Sequence, residues 1–221
     1  MKKTVWVFLS ILALTLIGCT QVTTFNASDF TPQNAHDIKV QDVDFDGDGS
    51  SEKVIYYKSD DAVGSESKTT NQHLVILAYK DAKWQVVKED TFANSNVAGL
   101  RFLLDQKVID FGNDRKQELF VQWAPERPLG IGTYYVVALV NGEYKFLDSP
   151  TLNELEYLDA AKGETEMHLT TVAPSSDGIK ESYDIFCEND LKGKPMSDRY
   201  EKSCRNLDLQ VIFNNGTLKR Q

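Results

Sequence analysis

The feature that most constrains this chain is an acidic loop that runs directly into a strand. Val43-Asp44-Phe45-Asp46-Gly47-Asp48-Gly49-Ser50-Ser51-Glu52 is followed by Lys53-Val54-Ile55-Tyr56-Tyr57, a β-branched and aromatic run. Asp44, Asp46 and Asp48 alternate, so one irregular turn can aim three carboxylates at a single hard cation, and calcium takes about six to eight oxygen ligands. Counted from Asp44, Gly49 falls at the sixth position, where a sharp turn is required, the Ser50 carbonyl at the seventh and Glu52 at the ninth. The twelfth position is Ile55 rather than a glutamate, and the apolar run around it predicts an exit into a strand, not a helix. The expected ligand set is Asp44, Asp46, Asp48, Ser50 and Glu52, with calcium in a structural role. The alternative is a solvated turn rich in Asp and Gly.

The loop has a second copy. Asp110-Phe111-Gly112-Asn113-Asp114-Arg115-Lys116-Gln117-Glu118 lines up with it at an offset of 66 residues, keeps acids at the first, fifth and ninth positions, and leads into Leu119-Phe120-Val121. Gly112 replaces the second carboxylate and Arg115 stands at the turn-glycine position, so this copy is expected to be a metal-free turn whose Asp residues cap backbone groups. Each copy precedes a hairpin pattern. Leu74–Tyr79 and Trp84–Val87 flank Lys80-Asp81-Ala82, and Tyr134–Val140 and Tyr144–Leu147 flank Asn141-Gly142, a strong hairpin signal. Further strands are predicted at Glu166–Val172, Lys180–Phe186 and Leu207–Phe213. Ser176-Asp177-Gly178 is too short for a third acidic loop. Leu152–Lys162 has near-helical apolar spacing and predicts a short packing helix.

The Asp44–Ile55 stretch resembles the DxDGDGxxD/E loop of FG-GAP or VCBS repeats, the calcium-bearing blades of integrin-type β-propellers. Glu118–Pro125 and Gly130–Val137 are similar to the part of that repeat carrying its Gly-Ala-Pro and following strand. The resemblance covers residues 42–147 and implies blade-like antiparallel sheets. Two units cannot close a ring that needs about four to eight blades. The expected fold is therefore all-β: two blade-like sheets over residues 38–150, not a closed propeller, and a smaller C-terminal β segment over 151–221 with the short helix.

The N-terminus reads as an address. Lys2 and Lys3 precede the apolar run Val5–Ile17, which is too short to span a bilayer, and the pattern predicts a secretory signal over residues 1–18. Leu16-Ile17-Gly18-Cys19 resembles a bacterial lipobox, which implies acylation of Cys19 and a lipoprotein. Thr20 rather than Asp after it implies the outer membrane in a Gram-negative cell. Residues 19–37 are polar and are expected to be a lipidated tether. Removing the signal takes two of the 24 basic residues and none of the 33 acidic ones, so the formal charge moves from −9 to −11. Such a domain repels nucleic acid, and membrane contact is expected through the lipid anchor. With Cys19 acylated, Cys187 and Cys204 remain and are expected to pair in an oxidising compartment. A bridge over such a loop is worth roughly 3 kcal/mol in the chain-entropy view.

Catalytic patterns are thin. His36, His73 and His168 are scattered, no serine elbow is present, and the Ser-x-x-Lys matches at Ser50 and Ser65 fit chance. Trp84, Trp123 and Tyr134, with Tyr135 and Tyr144, lie on or beside predicted strands and are candidate recognition aromatics, core packing being the alternative. The expected role is a binding or scaffolding module for protein or glycan in the cell envelope. An envelope hydrolase and an inhibitor of a host or rival enzyme are the alternatives. The lipobox generates the first test: Cys19→Ser should accumulate as an unprocessed precursor that incorporates no labelled palmitate, and a wild-type protein recovered soluble and unacylated would refute the anchor.

Overall fold

The computed structural model describes residues 24–63, 67–92, 101–125, 134–193 and 202–221, with side chains at 61–69, 92, 101–105, 123–125 and 189–190 outside the description. Cys19 and the signal segment lie outside the described residues.

Over the described residues the chain is all-β and forms three four-stranded antiparallel sheets, each a simple meander and none closed into a barrel. The first comprises β1 (Ala35–Val43), β2 (Glu52–Val63), β3 (Ser67–Lys80) and β4 (Lys83–Phe92). The second comprises β5 (Arg101–Ile109), β6 (Glu118–Pro125), β7 (Tyr134–Val140) and β8 (Glu143–Asp148), and the third β9 (Glu164–Ser175), β10 (Gly178–Cys187), β11 (Arg205–Asn214) and β12 (Thr217–Arg220). The C-terminal segment is thus a complete sheet like the other two. Its third and fourth strands are joined by Asn215-Gly216, as β7 and β8 are by Asn141-Gly142.

Period-two alternation explains the stacking, because successive strand residues point to opposite faces. On β2 and β3, Val54, Tyr56, Leu74 and Ile76 pack against Leu119, Val121, Tyr135 and Val137 of the second sheet. The intervening Ile55, Tyr57, Val75 and Leu77 face the other way. On the second sheet, Phe120, Tyr134 and Val136 point to the third, where they meet Ile179 and Val211. The middle sheet is therefore apolar on both faces.

The outer face of the first sheet is covered from the N-terminal side. Phe25, Ala27, Phe30 and Ala35 pack on Ile55, Tyr57, Val75 and Leu77, with Phe25 edge-on to Trp84. The described part of residues 19–37 is consequently not a free tether: a short 3-10 turn at Ala27–Asp29 and the start of β1 lie within it. On the third sheet, the end of the core-facing side that the second sheet does not reach is covered by Leu152, Tyr157 and Leu158. These belong to the stretch with near-helical spacing, which forms two 3-10 turns, Glu154–Glu156 and Ala160–Lys162, instead of one helix. Asp159 interrupts it: its carboxylate accepts from Ala161 N, and its own N–H goes to Glu164. Leu155, counted in the apolar stripe, is 82% exposed as a result.

Two ion pairs on buried carboxylates pin these pieces. Glu164 receives a two-pronged bond from Arg205, at 2.8 and 2.7 Å, and Arg205 also donates to the Tyr157 carbonyl. The guanidinium hydrogen bonds hold Glu164 down at about 2. Glu181, 1% exposed, accepts from Tyr134 Oη of the second sheet at 2.8 Å, from Tyr183 Oη at 2.9 Å and from both prongs of Arg220. Arg220 in turn donates to the carbonyls of Pro150 and Thr151, so one guanidinium ties the last strand, the sheet interior and the connecting segment. Cys187 and Cys204 form the expected disulfide, with Cα atoms 6.0 Å apart. It closes the connection between β10, a four-residue helix at Glu188–Leu191, and β11.

Because Glu181 is enclosed, Arg220→Met should leave a buried charge without its counter-ion and cost about 3–5 kcal/mol in urea unfolding, with much of the loss recovered by adding Glu181→Gln. A single-variant loss under about 1 kcal/mol would show that the pair does not hold the third sheet.

Candidate functional site

The two acidic loops lie at the same end of the stack and touch. The β1–β2 loop is joined to the β5–β6 loop by a reciprocal pair: Asp44 N–H donates to Gln117 Oε1 at 2.9 Å, and Gln117 N–H donates to the Asp44 carbonyl at 2.8 Å. Gly47 has φ +75°, and a Cβ there would stand 3.2 Å from the Arg115 carbonyl, so this contact needs glycine on both counts. The second loop meets the β9–β10 turn through Gly112 N–H to the Ser176 carbonyl.

The two loops share most of one hydrogen-bond skeleton, differing at the fifth position, whose N–H goes to Asp46 in the first loop and to Asp110 in the second. In the first, Asp44 accepts from Gly47 N and Gly49 N, and Asp48 accepts from Ser50 N. In the second, Asp110 accepts from Asp114 N and Arg115 N, and Asp114 accepts from Lys116 N. Arg115 takes φ +73° where Gly49 has +90°, so the second loop keeps the turn at a strained non-glycine residue. This skeleton closes by carboxylate-to-amide bonds alone. What the first loop adds is Asp46, and with it oxygens of Asp44, Asp46 and Asp48 come within 4.8 Å of one another. Three such charges repel by roughly 1 kcal/mol per pair even at the dielectric of water, a cost that a bound cation would remove.

Glu52 is not part of that cluster. It is buried at the start of β2, where Oε2 accepts from Phe45 N at 3.1 Å and Oε1 from Tyr144 Oη at 3.2 Å. Its ninth-position side chain closes the loop from beneath, and burial raises its pKa. Glu118 does the same in the second copy, accepting from Phe111 N at 3.0 Å. Burial, reinforced by the charges of Asp114 and Asp110, pushes it up to about 8. These buried glutamates were missed as structural elements by sequence reasoning. The signal available was an acid placed directly before an apolar strand in both copies.

Of the candidate aromatics, Tyr134 requires correction. It is 2% exposed, tilted against the Phe120 ring and bonded to Glu181, so it is a core residue; its inward place on a two-sided sheet decides this. Trp84 is half-buried between Phe25 and Tyr79. Trp123 lies on β6, but its side chain is outside the described residues. The histidines stay apart: His36 is beside Asp37 and Asp60, His73 is stacked on Tyr57, and His168 is beside Glu166. No protein-family model, curated protein or solved structure matches this chain.

The raised Glu118 sets a pH dependence. In the unfolded chain its carboxyl ionises near its ordinary 4.5, while in the fold it keeps its proton to about 8. The folded state then holds the extra proton, so this residue's contribution to stability falls as pH rises through that window. Glu118→Gln should therefore gain in melting temperature relative to wild type between pH of about 4.5 and 8 and keep a constant difference above it. A difference that does not change with pH would refute the shift.

Proposed function

We propose that this chain is an exported, lipid-anchored envelope protein whose stacked sheets form a binding or scaffolding module for a protein or glycan, with a structural calcium ion in the Asp44–Ser50 loop. The observation that carries the calcium reading is the third carboxylate. Two loops share a backbone skeleton, and only the first gathers three acidic side chains at the join between the first and second sheets. Asp44, Asp46 and Asp48 would hold the ion with the Ser50 carbonyl and solvent, while Glu52 serves the loop from its buried side. A hard divalent cation there would neutralise the cluster and stiffen the join between the sheets. The lipobox at Leu16–Cys19 and the acidic balance support the envelope reading, since such a surface favours an anchor over direct attraction to anionic lipid.

Binding to the folded state alone adds about 2.7 kcal/mol at a hundredfold excess over Kd. At roughly 2–4 °C per kcal/mol for a chain of this size, calcium should raise the melting temperature of the detergent-solubilised full-length protein by about 5–11 °C over chelator. Asp46→Ala should abolish that shift and Asp114→Ala should keep it. Equal melting points in calcium and chelator, or a shift that survives Asp46→Ala, would reduce the first loop to an acidic turn.

A further inference from the structure

We infer that the outer face of the first sheet is a docking surface for the lipid headgroup layer of the membrane that holds the anchor. This docking rests on the lipid-anchored reading above and adds an orientation to it: the first sheet lies on the bilayer and the third faces away. Among the described residues the exposed large apolar side chains are Ile38, Val40, Tyr79, Val86 and Leu155. All but Leu155 share one face. Val40 pairs with Ile55, Val86 with Leu77 and Tyr79 with Trp84, and Ile38 stands at the bulge opposite Tyr57. Cross-strand partners lie on the same side of a sheet, and Ile55, Tyr57, Leu77 and Trp84 all belong to the outer cluster of the first sheet. Apolar side chains scattered singly over a surface are ordinary, whereas their gathering on one face marks an interaction site.

The two ends of the stack differ in chemistry. On the third sheet, the residues that alternate with the core-facing set of β10 are Lys180, Ser182 and Asp184, paired with Gln210, Asp208 and Asn206 of β11. That end is polar. At the other end, Phe25 and Phe30 lie over Ile55, Tyr57, Val75 and Leu77 of the two middle strands. The exposed side chains flank this strap, with Ile38 and Val40 on the β1 side and Tyr79 and Val86 on the side of the β3–β4 hairpin.

The place where the chain reaches this face says what covers it. Phe25 packs there, edge-on to Trp84, and Cys19 stands six residues before it. Six residues reach at most about 20 Å when fully extended. Packed sheets stand about 10 Å apart, so the outer face of the third sheet lies about 20 Å behind that of the first, and the path around a sheet edge is longer still. An acylated Cys19 therefore brings the first sheet's outer face to the headgroups and cannot lay the third sheet's face on them. Tyr79 and Trp84 are of the amphipathic aromatic kind that settles at headgroup depth. The turn between them exposes Lys80 and Lys83 against Asp81, a net positive tip on an acidic chain. Lys53 on the same face is paired with Asp42 and lies 5.6 and 5.7 Å from the ring centroids of Phe25 and Trp84. A second copy of the chain suits the face less well. The strap divides the apolar area into two strips, to which a fluid headgroup layer conforms and which a rigid copy must match in shape.

The test uses the full-length protein reconstituted in phosphatidylcholine vesicles, with a nitrobenzoxadiazole label on one introduced cysteine at a time, Cys187 and Cys204 being paired with each other. Val40→Cys and Val86→Cys report the first sheet's face, and Thr171→Cys, at a position paired with Ser182, reports the polar face of the third. Replacing part of the lipid with doxyl-labelled phosphatidylcholine should quench the first two labels about threefold more than the last, since a docked apolar face enters the headgroup and acyl boundary. Ile38→Asp combined with Val40→Asp, at exposed positions that folding tolerates, should bring quenching of the Val86 label down to that of the Thr171 label. Equal quenching at all three positions, or Val86 quenching that survives the two aspartates, would overturn the docking. Self-quenching of the face labels between copies, without quenching by lipid, would overturn it as well and assign the face to a second copy. Mass spectrometry of the same samples keeps the two readings apart: Cys19 without acyl chains overturns the anchor and the docking with it, whereas acylated Cys19 with equal quenching overturns the docking alone.

Discussion

The burial of both faces of the middle sheet is the constraint on which the rest of the structure depends. Leu119, Val121, Tyr135 and Val137 face the first sheet, while Phe120, Tyr134 and Val136 face the third. Each such side chain contributes on the order of 1.5–3 kcal/mol when withdrawn from water, and the alternation divides that gain between two seams. A slip of one residue would exchange the two sets and carry the Tyr134 hydroxyl away from Glu181. Register in β6 and β7 thus fixes the order of the layers. The outer sheets are less demanding: the first is completed by Phe25, Phe30 and Trp84, and the third by the segment around Tyr157.

The two acidic loops show how one backbone solution serves different chemistry. Both close with a first-position aspartate accepting two amide bonds and a ninth-position glutamate buried beneath. Substitutions around that skeleton then differentiate the copies. Asp46 against Gly112 decides whether three carboxylates meet, which is the basis of the proposed calcium site. Tyr144 against Leu218 decides whether the buried glutamate meets a hydroxyl as well as a backbone amide: Glu52 does, and Glu118 has Leu218 at the matching place. In each case the loop supplies the frame, and one residue sets what its acids meet.

The strands built from dense Val, Ile, Tyr and Phe were legible in the sequence, as were the Asn-Gly hairpins, the loop-to-strand transition at Glu52 and the pairing of Cys187 with Cys204. Those features depend on local periodicity, turn chemistry and redox context. Strand β1 was not legible because it is an edge strand whose residues from Ala35 to Asp42 are mostly solvent-facing, with only Val43 buried. Strand β12, four residues long, carries too short a pattern to register. Residues 152–162 have near-helical spacing, but the bond from Asp159 N to Glu164 and the packing of Tyr157 and Leu158 on a distant sheet outweigh it.

What the sequence determined by itself was the chemical inventory: an all-β chain, two acidic loops in register with their strands, and one disulfide. The tertiary structure alone decided the use of the acids. An aspartate or glutamate before a strand reads as solvent-facing or metal-binding, because its donors are not visible nearby. Glu52 finds one donor seven residues before it and another 92 residues after it, Glu181 finds Tyr134 across a seam, and Glu118 has Leu218 where Glu52 has Tyr144. Partners so far apart in the chain become neighbours only when the sheets stack, and that is where burial and pairing are settled.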